Sequence, residues 1–199
     1  MSTPGAVFPA GLLLDGRRCA VVGPLASATP RLAALEAAGA VVIHLGASAP
    51  DVAALRGAFL CLVTEDVPED VARATAAAAR AAGALVWCGD RPGLSDLSLP
   101  AVLRRGRVLV TVSTGGASPA LAVRLRDELA TLLGEELGAF AEALAAARAA
   151  SRQAHPDDPA ARRADVQALV DGVRVRGTLE LPPAPAPAPS PAPAHVKRR

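Results

Sequence analysis

Short apolar runs alternate with longer amphipathic stretches through the first half of the chain. Residues 18–23, 40–45, 58–63, 85–88 and 108–112 are dominated by apolar side chains, with little polar alternation inside each run. Runs of this length and character are typical of strands that are buried on both faces, as in parallel sheets. The pattern therefore predicts five strands.

Helix-like segments separate the first strands. Residues 30–38 end at Gly39, and the alanine-rich residues 68–82 end at Gly83. Glycine is favoured directly after a helix because it adopts the left-handed conformation without strain. Strands that alternate with helices at this spacing predict an α/β fold with a Rossmann-like, mainly parallel sheet and right-handed crossovers.

From Ser118 the pattern becomes helical. Ser118-Pro119 is a favourable start for a helix, and leucines recur at helical spacing up to residue 133. A second helix is predicted over 135–152, followed by a short helical stretch to Val170. We therefore expect a Rossmann-like domain over 1–112, a helical region over 113–178 and an extended, disordered Pro-Ala-rich tail over 179–199.

Composition and charge exclude several classes of protein. The formal net charge is only +2, and aromatic residues are limited to three Phe and one Trp, which argues against a nucleic-acid surface. No apolar run reaches the roughly 18–20 residues that a membrane span needs. The first residues also lack the features of a signal peptide. A cytoplasmic protein with no membrane partner is expected.

The three cysteines indicate a core role. Cys19, Cys61 and Cys88 lie inside apolar runs, are far apart in sequence and form no Cys-x-x-Cys pair. The three histidines show no metal-ligand spacing to them or to one another. The pattern favours reduced thiols in the core over a disulfide or a zinc site, and no resident metal is expected.

Ligands of parallel sheets bind beyond the carboxyl ends of the strands, which directs attention to the first turn. Residues 23–28 read Gly-Pro-Leu-Ala-Ser-Ala, which matches the dinucleotide pattern Gly-x-Gly-x-x-Ala except that Leu25 replaces the central glycine. The segment is therefore either a phosphate-binding loop or a purely structural turn. His44 stands near the end of the second strand, where a carboxylate would bind the ribose, so a preference between NAD and NADP is not indicated.

Asp90 follows the fourth strand directly and is flanked by Gly89 and Pro92. A carboxylate at this edge can act as a general base, or bind a cationic nitrogen or a metal ion. The alternative is an aspartate that only caps its own turn.

Residues 113–119, Ser-Thr-Gly-Gly-Ala-Ser-Pro, lead from the fifth strand into a helix. Adjacent glycines and hydroxyls before a helix suit the binding of an anion by backbone amides. A tight strand-to-helix turn is the alternative.

Four stretches together resemble one known family. They are residues 8–23, residues 57–66, Asp90-Arg91-Pro92 with Pro100, and residues 112–122, and the last is the most specific. They are similar to the precorrin-2 dehydrogenase/sirohydrochlorin ferrochelatase family, the N-terminal module of siroheme synthases, with an altered glycine loop. The resemblance covers about residues 7–150.

The resemblance implies an oxidoreductase of siroheme (porphyrin-type) biosynthesis, a homodimer that oxidises precorrin-2 to sirohydrochlorin with NAD. Fe²⁺ insertion at the same site is implied for many members. Asp90 matches the essential aspartate, and the domain over 1–112 would bind NAD. The expected NAD contacts are Gly23, Ala26, Ser27, Ala47, Ser48 and Thr64, and the expected tetrapyrrole contacts are Ser113, Thr114, Gly115, Gly116 and Ser118.

Two other hypotheses remain beside this one. Leu25 and the short segment between Ser48 and Leu55 depart from the family pattern and favour a non-catalytic, tetrapyrrole-binding or regulatory paralogue. A different Rossmann-type nucleotide-binding protein is the third hypothesis.

Overall fold

A four-stranded parallel sheet organises the first half of the chain. The computed structural model describes residues 7–183. Its first four strands, β1 (Arg18–Val22), β2 (Val41–His44), β3 (Leu60–Val63) and β4 (Leu85–Cys88), lie in the order β2-β1-β3-β4. All three pairings are parallel. The predicted α/β fold is therefore confirmed.

Helices α1 (Leu25–Glu36) and α2 (Glu69–Ala81) cover the two faces of this sheet. Successive β1 residues point to opposite faces, so that Ala20 and Val22 join the cluster with α2, while Cys19 and Val21 join the cluster with α1. Small side chains dominate the cluster with α2, because the core contribution of that helix is mainly alanine. The cluster with α1 instead contains four buried leucines, with Phe59 and Trp87 packed against it.

Helix α1 begins five residues before the predicted start at Pro30. Proline usually lies in the first turn of a helix, and this preference placed the predicted start too late. In the structure Pro30 is inside the helix, and the hydroxyl of Thr29 donates a hydrogen bond of 2.7 Å to the Leu25 carbonyl. The helix therefore reaches the end of β1 after a turn of only two residues.

The predicted fifth strand does not belong to the parallel sheet. Strand β6 (Val108–Val112) pairs instead with β5 (Ala101–Arg105), which was not predicted, in a separate two-stranded sheet. The two strands are joined by Gly106-Arg107, and Gly106 has a φ of +54°. A two-residue connection permits only antiparallel pairing, and its glycine was the available signal.

The segment after β4 closes one edge of the parallel sheet. The Cys88 amide donates to Ser95 Oγ at 2.9 Å, and the Val86 amide donates to Asp96 Oδ2 at 2.9 Å. The Asp96 amide returns a hydrogen bond of 2.8 Å to the Val86 carbonyl. Side chains therefore satisfy the outer amides of β4, where a fifth strand would otherwise pair.

The second half of the chain contains α3 (Pro119–Leu132), α4 (Glu136–Ala154) and α5 (Pro159–Val170). Two compact units are distinguished by their internal contacts. Residues through Val102 and Val110–Arg126 form one, and Leu103–Leu109 with residues from Asp127 onward form the other. The domain boundaries predicted at residues 112 and 178 remain predictions. Most of the expected Pro-Ala tail, residues 184–199, lies outside the described residues.

Within the second unit, α4 and α5 pack through a polar contact. Ser151 of α4 is buried and donates a hydrogen bond of 2.7 Å to Asp165 of α5. Asp158 caps α5 by accepting hydrogen bonds from two backbone amides of the first turn. No helix of the described residues is long and apolar enough to cross a membrane.

The three thiols are buried in the core, as predicted, and they should be chemically inert in the folded protein. Cys19, Cys61 and Cys88 are at most 2% exposed. Burial, with a smaller contribution from Cys88, raises the pKa of the Cys61 thiol to about 12.

Because the thiolate is the nucleophile, we expect no reaction of the native protein with an aromatic disulfide reagent at pH 8. In denaturant, all three thiols should react. A thiol that reacts within seconds in the native protein would contradict this assignment.

Candidate functional site

The loops after β1 and β2 meet at the carboxyl edge of the parallel sheet. The Gly23 amide donates to the Gly46 carbonyl at 2.7 Å. His44 Nε2 lies 2.7 Å from the Gly23 carbonyl oxygen. Since a carbonyl oxygen only accepts, Nε2 is the donor in this contact. Ala47 and Ser48 follow in an exposed turn.

Gly23 also lies directly against Thr64, the residue after β3. Its φ is +150°, and a β-carbon at this position would lie 1.9 Å from Thr64 Oγ1. Thr64 is fully buried. The one glycine retained from the dinucleotide pattern is therefore required by an internal side chain, whatever ligand binds above it.

Two hydroxyls converge on a carboxylate at this point. The Thr64 hydroxyl lies 2.5 Å from Asp66 Oδ1, and the Ser27 hydroxyl lies 2.9 Å from both Asp66 oxygens. The hydrogen bond from Thr64, assisted by the one from Ser27, lowers the pKa of Asp66 below its ordinary value. We call Ser27, Thr64 and Asp66 the hydroxyl–carboxylate cluster. Sequence reasoning placed Ser27 and Thr64 in the site but missed Asp66.

The N-terminus of α1 lies beside this cluster, because Ser27 belongs to its first turn. Pro24 precedes the helix and provides no side-chain cap, and the first turn contains no acidic residue. The backbone amides of Leu25, Ala26 and Ser27 are the first three of α1 and have no acceptor within the helix. Such amides at helix N-termini can bind phosphates. Leu25 is 63% exposed and does not close the turn. These amides suit a dinucleotide diphosphate, whereas the Asp66 carboxylate opposes one.

Asp90 lies in a strained turn at the same edge of the sheet. Its φ is +57°, and within residues 7–183 it is the only non-glycine residue with positive φ. The residue is exposed and follows the last residues of β4. Gly89 shapes the turn, since a β-carbon there would lie 2.8 Å from the Glu65 amide nitrogen. Strained aspartates of this kind concentrate at functional sites.

Arg91 holds the Asp90 turn in place. Its guanidinium donates to Glu69 at 2.8 Å and to the Val67 carbonyl at 2.6 Å, while its side chain is mostly buried. A third, longer hydrogen bond of 3.3 Å reaches the Gly89 carbonyl. The turn that carries Asp90 is therefore anchored to the start of α2.

Ser113, Thr114 and Gly116 line a separate cleft of about 270 Å³ with Pro100 and the first residues of α3. The Thr114 hydroxyl bonds to both the amide and the carbonyl of Ser118 at 3.0 Å, and Ser118 Oγ accepts from the Leu121 amide. The Gly115 amide donates to Ser113 Oγ at 3.3 Å. Side chains thus shape this loop internally. It follows a hairpin strand, not a strand of the parallel sheet as predicted.

Metal-ligating side chains do not gather anywhere in residues 7–183. No three His, Cys, Asp or Glu side chains of that range lie close enough together to hold a metal ion. Asp90 is thus a single carboxylate and not part of a ligand set.

The contact between Gly23 and Thr64 can be tested by Gly23→Ala. The β-carbon would overlap Thr64 Oγ1 in the buried sheet edge, so we expect a loss of about 3 kcal/mol or more in the free energy of unfolding. Gly57→Ala is the matched control, because Gly57 also has a positive φ but has open space around it. It should cost only about 1–2 kcal/mol. Urea titration measures both, and equal losses would show that the overlap is relieved.

Comparisons with known proteins agree with the resemblance found in the sequence. A family model described as the central part of sirohaem biosynthesis proteins matches residues 105–132. The siroheme synthase of Methylococcus capsulatus is 36% identical over 183 residues, covering 83% of this chain and 38% of that protein. The siroheme synthase of Gluconacetobacter diazotrophicus is 37% identical over 179 residues, covering 78% and 38%.

A solved structure shares the fold. SirC, a precorrin-2 dehydrogenase, superimposes with a TM-score of 0.57 at 18% identity, covering 83% of this chain and 98% of that one. The chain spans little more than a third of the length of the two curated relatives. With these sequence relatives, the family resemblance is confirmed, and the chain belongs to the siroheme synthase family.

Proposed function

We propose that the chain oxidises precorrin-2 to sirohydrochlorin with NAD in siroheme biosynthesis, in the cytoplasm. The observation that carries the proposal is Asp90, an exposed carboxylate in a left-handed turn at the carboxyl edge of the sheet. It stands within the Asp-Arg-Pro stretch of a chain that belongs to the siroheme synthase family.

The reaction removes two hydrogens from the macrocycle, one as a hydride and one as a proton. Bound NAD would supply the hydride acceptor. The carboxylate of Asp90 would accept the proton, because an ionised carboxylate offers only acceptor oxygens. Arg91 would hold the turn through Glu69 and the Val67 carbonyl, so that Asp90 keeps its direction while the proton is transferred.

NAD would bind above β1 and β2. The amides of Ala26 and Ser27 would hold the diphosphate, and the turn at Ala47 and Ser48 would take the adenosine side. Gly23 would act by shaping the turn beneath the diphosphate, because its own amide already donates to the Gly46 carbonyl. Thr64 is buried beneath the loop. It would act indirectly, through the hydroxyl–carboxylate cluster.

The tetrapyrrole would bind with its peripheral carboxylates at the loop Ser113, Thr114, Gly115, Gly116 and Ser118. This loop borders the cleft of about 270 Å³. A homodimer is also proposed, supported by the exposed apolar side chains of Leu121 and Val123 on α3. Iron insertion would exchange two pyrrole protons for Fe²⁺ as substrate, and Asp90 would accept these protons one after the other and pass each to solvent.

The second candidate function is tetrapyrrole binding without oxidation. The observation that favours it is the Asp66 carboxylate, which lies at the α1 N-terminus where the diphosphate would bind. The exposed Leu25 in the place of a glycine is consistent with this alternative.

The proposed role of Asp90 is tested by Asp90→Asn. Asparagine tolerates the left-handed conformation, so the turn is kept while the charge is lost. In an anaerobic assay with precorrin-2 generated in situ and NAD, we expect turnover to fall by about 10²–10⁴-fold. Asp15→Asn is the matched control, because Asp15 precedes β1 at the opposite edge of the sheet, and it should leave turnover unchanged.

The wild-type assay separates the two candidate functions. NAD-dependent appearance of the sirohydrochlorin spectrum supports the dehydrogenase, and added Fe²⁺ then tests insertion. Binding of precorrin-2 without oxidation would favour the second candidate. Full activity of Asp90→Asn would remove Asp90 from the mechanism.

Asp66 should weaken NAD binding. Asp66→Asn removes a negative charge beside the proposed diphosphate position while it keeps an acceptor for Ser27 and Thr64. We expect about fivefold tighter binding of NAD in a fluorescence or calorimetric titration, equivalent to about 1 kcal/mol. Glu36→Gln makes the same charge change at the far end of α1 and should have no effect. Equal affinity in wild type and Asp66→Asn would place the diphosphate elsewhere.

A further inference from the structure

Four arginine side chains line one cavity of about 500 Å³ in the second unit. Arg148 and Arg152 come from α4, and Arg162 and Arg163 come from α5. The volume lies in the range of pockets that bind small molecules. None of the described residues that line it is acidic; the others are Pro159, Val166 and Gln167.

The nearby carboxylates have other partners. Asp158 accepts hydrogen bonds from the Ala160 and Ala161 amides at the start of α5. Asp165 accepts the hydrogen bond from Ser151 on α4. These acids stabilise the helix pair itself, and the charge of Asp158 also acts on Arg162. The positive charge of the other three arginines around the cavity is therefore left for a group that comes from outside.

One of the arginines is already held in position. Arg162 Nη1 donates to the carbonyls of His155 and Pro156 at 2.6 and 2.5 Å. Arg148 and Arg152 are one helical turn apart, so their side chains lie on the same face of α4. Guanidinium groups bind the oxygens of phosphates and carboxylates through paired N–H donors.

We propose that this cavity binds a small polyanion that carries several phosphate or carboxylate oxygens close together. The ligand relieves the repulsion among the four guanidinium groups, and its binding weakens as salt screens the charges. The site shares no residue with the proposed catalytic and cofactor sites. It therefore goes beyond the proposed function and does not depend on it.

The test is calorimetric titration of the full chain at low ionic strength with inorganic pyrophosphate and, separately, with citrate. We expect saturable binding of at least one anion, weakened at least tenfold by Arg152→Gln combined with Arg163→Gln. Arg152→Lys keeps the charge but loses the paired donors, and it should give an intermediate affinity. Arg176→Gln removes a positive charge outside the cavity and should have little effect.

The two probes assign the ligand class. Tighter binding of pyrophosphate indicates a phosphate compound, and tighter binding of citrate indicates a polycarboxylate. NAD affinity should be equal in the wild type and the double variant, which distinguishes this site from the α1 N-terminus. Absence of saturable binding to either anion, or equal binding by the double variant, would overturn the proposal.

Discussion

The approach of Gly23 to Thr64 is the contact on which the proposed cofactor end of the sheet depends. Because position 23 has no side chain, the turn after β1 lies directly on the end of β3. That brings Ser27 of α1 to Asp66, a residue 39 positions later in the chain. Gly89 has the same relation to Glu65 one strand further along. Because Gly23 and Gly89 carry no side chain, the loops after β1, β3 and β4 lie in direct contact around the proposed site.

Two groups at the α1 N-terminus act in opposite directions on the binding of an anion. Its unfilled amides attract negative charge, while the hydroxyl–carboxylate cluster already holds an ionised carboxylate beside them. Both hydroxyls stabilise the charged form of Asp66. Cofactor affinity in this protein would therefore be set by the balance between backbone dipoles and a single side chain, and not by glycine content alone.

The sequence was sufficient to predict the parallel strands and α2. A short apolar run is typical of a buried strand, and a glycine directly after a helical segment marks its end, so both signals depend only on neighbouring residues. It was insufficient for β6, because an apolar run does not identify its pairing partner, and the hairpin depended on Gly106. Asp66 was missed because its hydrogen bonds join distant segments. Asp90 was found from its place after a strand, but its left-handed backbone leaves no signature in the local sequence and could not be inferred.

The cover formed by Ser95 and Asp96 over β4 has a consequence for self-association. An open strand edge is a template on which another chain can add a strand, and this is a common route to aggregation. Here side chains already occupy the outer amides of Val86 and Cys88. The opposite edge, β2, has no strand on its outer side within residues 7–183, and its Val41 is 57% exposed. Growth of the sheet from one molecule to the next is thus restricted to the β2 side.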